Sequence, residues 1–70
     1  MTKIVASMAG SVWKVLVKEG EELKAGQDVV ILESMKMEIP IAAESDGVVK
    51  KVHIQEGEFV NDDDVLIDVE

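Results

Sequence analysis

Seventy residues leave room for one domain, spanning 1–70, with a packed but shallow core and no space for a second, catalytic one. Apolar residues make up 47% of the chain but only Trp13 and Phe59 are aromatic, so Val, Ile, Leu, Met and Ala must build the core; the lack of cysteine excludes disulfides, thiolate catalysis and thiolate metal sites. A formal charge of −8 argues against nucleic acid and anionic lipid surfaces and favours a partner with a basic docking face.

The opening stretch, Met1 to Met8, has one lysine and no long apolar run, as expected for a soluble cytoplasmic chain with neither a signal peptide nor a membrane span. From there the sequence reads as short Val- and Ile-rich strands broken by turns, with no apolar spacing of three and four sustained long enough for a helix. The first strands are Lys3 to Ser7 and Ser11 to Val17; Val12 is out of phase with Val15 and Val17, which predicts a bulge. Gly20, between two glutamates, reads as a turn glycine at positive φ, followed by a short pairing near Glu22 to Lys24. Next come an apolar strand, Asp28 to Glu33, and a strand from Glu38 to Ala42 that Pro40 assigns to a sheet edge. Val48 to Ile54 repeats the phase break at Val49, and Gly57 repeats the turn of Gly20. A short pairing near Glu58 to Val60, a solvated turn at Asp62 to Asp64 and a last strand from Val65 to Val69 complete the chain.

These correspondences form one internal repeat. A shift of 37 residues lays Gly10 on Gly47 and Gly20 on Gly57 without a gap. It also superposes Val12 on Val49, Val15 on Val52, Val17 on Ile54, Leu23 on Val60 and Val29, Val30, Leu32 on Leu66, Ile67, Val69. Two similar sheets packed face to face, an all-β flattened sandwich or barrel with approximate twofold symmetry, follow from that repeat.

Glu33-Ser34-Met35-Lys36-Met37-Glu38 joins two strands and so reads as a hairpin tip. A two-residue turn centred on Met35 and Lys36 needs positive φ at both, where Asn-Gly or Asp-Gly is the favourable choice. A local choice that conflicts with an otherwise consistent pattern points to function. Lys36 is the only basic residue between Lys24 and Lys50, with Glu33, Glu38 and Glu44 around it. An alkylammonium is a weak nucleophile, and no His, Cys or Tyr lies near it in sequence to act as a base. Lys36 therefore reads as the target of another enzyme, and the chain as a non-catalytic protein.

At these residues the chain resembles the biotinyl and lipoyl carrier domains, from Ser7-Met8-Ala9-Gly10 through the central hairpin to Leu66-Ile67-Asp68-Val69. Met35-Lys36-Met37 preceded by Glu33-Ser34 is similar to that family's biotin-acceptor motif. The resemblance implies a flattened β-barrel in which Lys36 is the attachment site and Glu33, Ser34, Met35 and Met37 are recognition residues. It further implies that a biotin protein ligase activates biotin as an adenylate and joins it to Lys36. The tethered ring would then carry carboxylate between biotin carboxylase and carboxyltransferase subunits. Met37-Glu38-Ile39-Pro40 is also similar to the stretch after the lysine in lipoyl domains, so lipoate for acyl transfer stays open. An unmodified acidic adaptor is the reading from a different class.

Other residues carry blander readings. Trp13 is a packing or half-exposed strand aromatic, and His53, with no second His or Cys, is no metal ligand. Asp62 to Asp64 lacks the spaced ligands of a calcium loop, so no metal is expected. A monomer is expected.

Overall fold

A computed structural model describes residues 2–70; Met1, the first residue of the expected domain, lies outside the described residues. Eight strands follow one another: β1 (Thr2–Val5), β2 (Gly10–Val15), β3 (Glu22–Leu23), β4 (Asp28–Ser34), β5 (Met37–Ala42), β6 (Gly47–Val52), β7 (Phe59–Val60) and β8 (Val65–Val69). They form two four-stranded sheets, β1-β8-β6-β3 and β5-β4-β2-β7, with every pairing antiparallel. No helix among the described residues is long and apolar enough to cross a membrane. The expected elements are all present, with shifted ends: β1 stops at Val5 rather than Ser7, and β2 and β6 stop at Val15 and Val52. Val17 and Ile54, expected inside those strands, are buried in the core from just beyond them.

The repeat in the sequence is a twofold in space. Shifting by 37 residues exchanges the two sheets, β1 for β5, β2 for β6, β3 for β7 and β4 for β8. The sixteen buried apolar residues among the described ones fall without remainder into eight symmetric pairs. They include Val12 with Val49, Val29 with Leu66 and Leu32 with Val69, and extend to Ile4 with Ile41 and Ala6 with Ala43, which the sequence comparison had not reached. Each half is too small to bury one sheet face alone, and the two faces cover each other.

Both phase breaks are bulges. The β2–β4 register slips between Val12 and Lys14, and the β6–β8 register slips between Val49 and Lys51, so Trp13 and Lys50 are the extra residues. The slip returns Val15 and Val52 to the face that Val12 and Val49 already occupy, and both pack against the core. Turns are likewise duplicated: Gly20 and Gly57 have φ of +89° and +96°. The Lys18 and Gln55 N–H groups donate to the carboxylates of Glu21 (3.3 Å) and Glu58 (2.7 Å). Gly26 at φ +87° is matched by Asp63 at +69°, so backbone geometry persists even where the two sequences diverge. In that second turn the Asn61 N–H donates to the Asp64 carboxylate at 2.8 Å, which gives the acidic run a structural role.

Candidate functional site

The β4–β5 ribbon is the longest pairing in the molecule and it sets the position of Lys36. Leu32 pairs with Ile39 on the core side, anchoring the ribbon, and the register continues through Glu33 with Glu38 and Ser34 with Met37. Two residues are left to reverse the chain. Met35 and Lys36 have φ of +54° and +65°, the double left-handed geometry of a type I′ turn. For residues with a Cβ this conformation costs about 1 kcal/mol or more each. The long cross-strand ladder behind the turn holds both residues there.

The turn and its flanking carboxylates face solvent. Met35 is 90% exposed and Met37 64%, far from the gap-filling role methionine plays in cores. Lys36, Glu33 and Glu38 are exposed, and Ser34 is half-buried. Among the described residues Lys36 takes no part in a hydrogen bond or ion pair. Glu33 and Glu38 stand directly opposite each other in the ladder, a like-charged pair that opposes hairpin formation. A strained turn, a free amine, two exposed thioethers and a carboxylate pair thus share one hairpin end, and none of them stabilises the fold there.

Glu44 does not belong to this cluster. The sequence places it around Lys36, but β5 runs away from the tip and Glu44 lies beyond its far end, beside Ala43 and Ser45 at a groove of about 260 Å³ between β1 and β5. That groove is lined by residues such as Ile4, Val5, Pro40 and Ile41, and by none from Glu33 to Met37. Lys36 therefore sits on a projection. A Schiff-base lysine needs a desolvating pocket, and this one has none. What the arrangement can do chemically is present a primary amine to the active site of another protein.

Gly10, which the repeat singled out only as a matched glycine, supports the hairpin. A Cβ there would lie 2.8 Å from the backbone oxygen of Glu33 and 3.5 Å from the Ser34 Cβ, so only glycine lets β2 pass this close to the base of the turn. On the other sheet, the Asp68 carboxylate accepts an ion-paired hydrogen bond from Lys3 Nζ (3.0 Å) and lies 3.0 Å from His53 Nε2, which hydrogen-bonds to it. The His53 hydrogen bond, and then that of Lys3, holds the Asp68 carboxyl below its ordinary value. This accounts for His53 structurally. Trp13 is 41% exposed, with the Lys14 ammonium 5.5 Å from its ring centroid.

Comparison with known proteins agrees with this geometry. A family model described as "Biotin-requiring enzyme" matches residues 2–69. The chain is 58% identical over 62 residues to the biotin/lipoyl attachment protein of Bacillus subtilis (strain 168), covering 89% of this chain and 85% of that one. It is 46% identical over 67 residues to pyruvate carboxylase of Staphylococcus aureus (strain Mu50 / ATCC 700699), covering 96% of this chain but only 6% of that enzyme. Among solved structures, the urea carboxylase of Kluyveromyces lactis matches with a TM-score of 0.88 at 29% identity, over 94% of this chain and 6% of the other.

Proposed function

The chain belongs to the biotin/lipoyl attachment family, and from that premise we propose that Lys36 is the residue a biotin protein ligase modifies, making the protein a carrier that serves a biotin-dependent carboxylase in the cytoplasm. The observation that carries the assignment is the turn itself: Met35 and Lys36 occupy positive φ, at φ +54° and +65°, with the amine free and exposed. Asn-Gly would suit that backbone better, so the residues present answer to another requirement. Biotin is favoured over lipoate because the relatives sharing this hairpin domain include pyruvate carboxylase and a urea carboxylase.

Biotin would be held through an amide to the Lys36 Nζ, and when bound it supplies a ring nitrogen that accepts and releases a carboxyl group. The residues of this chain do the rest. Amide formation at Nζ removes one positive charge, and because Lys36 has no ion-pair partner among the described residues, no partner loses its counterion when that happens. Met35 and Met37 offer soft, adaptable apolar contacts on either side of the amine to the modifying enzyme, and Ser34 keeps the base of the turn narrow. The β4–β5 ladder fixes where the arm begins, so that a carboxylase and a carboxyltransferase site within reach see a high effective concentration of the tethered group.

The test is intact mass after incubation with a biotin protein ligase, ATP and biotin. One added biotinyl group, located on Lys36 by fragmentation and lost in Lys36→Arg, is the expected result. Labelling that persists in Lys36→Arg would overturn the site, and a lipoyl group at Lys36 in protein from native cells would overturn the choice of biotin.

A further inference from the structure

Because the two sheets are related by a twofold, each serves as an internal control for the other: the same backbone, the same core, and outer faces free to differ. Five positions make the lysine-bearing sheet the more apolar of the two. On the outer face of β1-β8-β6-β3, Lys3, Asp68 and His53 form a linked polar network, and Lys50 and Glu22 are exposed beside it. The five symmetric positions on the lysine-bearing sheet are Pro40, Ile31, Leu16, Trp13 and Phe59, all apolar. Leu16 is 46% exposed, Trp13 41% and Phe59 65%, while Ile31 is half-buried outside the core and Pro40 is exposed. Among the described residues Ser11 against Val48 and Asp28 against Val65 are exchanged the other way, and Lys14 against Lys51 is unchanged. Bulge, ladder and core place no demand on these side chains, since polar residues occupy the equivalent places in the same molecule. The apolar surface is therefore there for something outside the fold.

The stripe is continuous with the lysine ribbon. Ile31 and Pro40 are cross-strand partners on β4 and β5, and Lys14 on β2 pairs with Ile31. Ile31 and Lys36 are five positions apart, at most roughly 16 Å along the chain. Toward the tip the stripe is bordered by the acidic pair Glu33 and Glu38, and at the other end of β4 by exposed Asp28. A second copy of a chain with charge −8 would bring like charges together at that border.

We propose that this outer face, centred on Leu16, Ile31 and Pro40 and flanked by Trp13 and Phe59, is the surface by which a carboxylase subunit holds the carrier, through an apolar patch bordered by lysine or arginine side chains. Contact set back from the tip grips the body of the domain and leaves Lys36 and its arm free to move, which is what successive visits to two sites require. A modifying enzyme, by contrast, needs only the tip. The identity of the partner rests on the carrier reading; the existence of the face does not.

The internal symmetry supplies the variant. Leu16→His, Ile31→Asp and Pro40→Lys together transplant the polar network of the opposite sheet, a combination this backbone already tolerates, and circular dichroism checks that the fold is kept. Binding of the unmodified chain to a purified biotin carboxylase–carboxyltransferase assembly lacking its own carrier domain should weaken at least tenfold. Labelling of Lys36 by biotin protein ligase should stay within twofold of the parent. Unchanged carboxylase affinity overturns the proposal. So does a tenfold loss of ligase labelling, which assigns the face to the ligase, or a parent dimer that the triple variant dissociates in sedimentation, which assigns it to a second copy. Because the binding arm uses unmodified protein, an absence of labelling at Lys36 would count against the carrier reading alone.

Discussion

Replacing the turn residues with those its backbone prefers should make the protein more stable and useless as a biotin acceptor. In Met35→Asn/Lys36→Gly, both positions keep φ near the observed +54° and +65°. At position 35 the left-handed conformation costs methionine about 1 kcal/mol or more, most of which asparagine avoids. At position 36 glycine removes a similar penalty but gives back roughly 0.5–1 kcal/mol through the greater freedom of the unfolded chain. The net gain is therefore about 1 kcal/mol, and for a domain of this size that raises Tm by roughly 4–8 °C. Thermal and urea unfolding followed by Trp13 fluorescence measure it, with Lys36→Ala as the control: alanine keeps the strain, so its Tm should stay within a few degrees of the parent. A double variant no more stable than Lys36→Ala would refute the argument that Met35 and Lys36 are held in the turn at the expense of stability.

Further outcomes follow from other parts of the structure. Gly10→Ala should destabilise the domain by about 1–3 kcal/mol and slow biotinylation, because the new methyl meets the Glu33 backbone oxygen at 2.8 Å; chemical denaturation and ligase kinetics read the two effects. Leu32→Ala empties a fully buried site behind the lysine ribbon and should cost about 2–5 kcal/mol, a large part of the total stability of so small a domain, measured by urea unfolding. The Asp68 carboxyl is held below its ordinary value by His53 and Lys3, so in acid the unfolded chain takes up that proton first. The stability this confers is complete above the unfolded-state value and disappears as pH falls through the folded-state value. Asp68→Asn should therefore be less stable than the parent at neutral pH, with the gap closing in acid; a gap independent of pH would reject the assignment of that stability to the Asp68 carboxylate and its Lys3 and His53 partners.

The lysine hairpin was legible in the sequence because its signal is local. Six residues joining two apolar strands fix a tip, and a turn that should read Asn-Gly but reads Met-Lys declares a constraint of another kind. Pro40 marked its own strand as an edge because a residue without an N–H cannot serve an inner ladder, and β5 is an edge strand. Glu44 was misplaced for the opposite reason: nearness in sequence says nothing about which way a strand runs, and β5 carries Glu44 to the far end of the sheet.

By itself the sequence determined the duplication, the strands and the bulges, since glycines, turn carboxylates and the two-residue alternation are properties of neighbouring residues. The unmatched turn was not legible in this way: only the structure shows Gly26 and Asp63 sharing a left-handed geometry, at φ +87° and +69°. Only the tertiary structure decided which strands share a sheet and hence which side chains lie together on an outer face. The β2 strand pairs with β4 from its own half and with β7 from the other, and β6 likewise joins β8 and β3, so each sheet mixes both halves. That exchange is set by closing two sheets over one core, a balance among residues distant in the chain. It is what gathers Trp13, Leu16, Ile31, Pro40 and Phe59 onto one surface while their symmetry mates form a polar one.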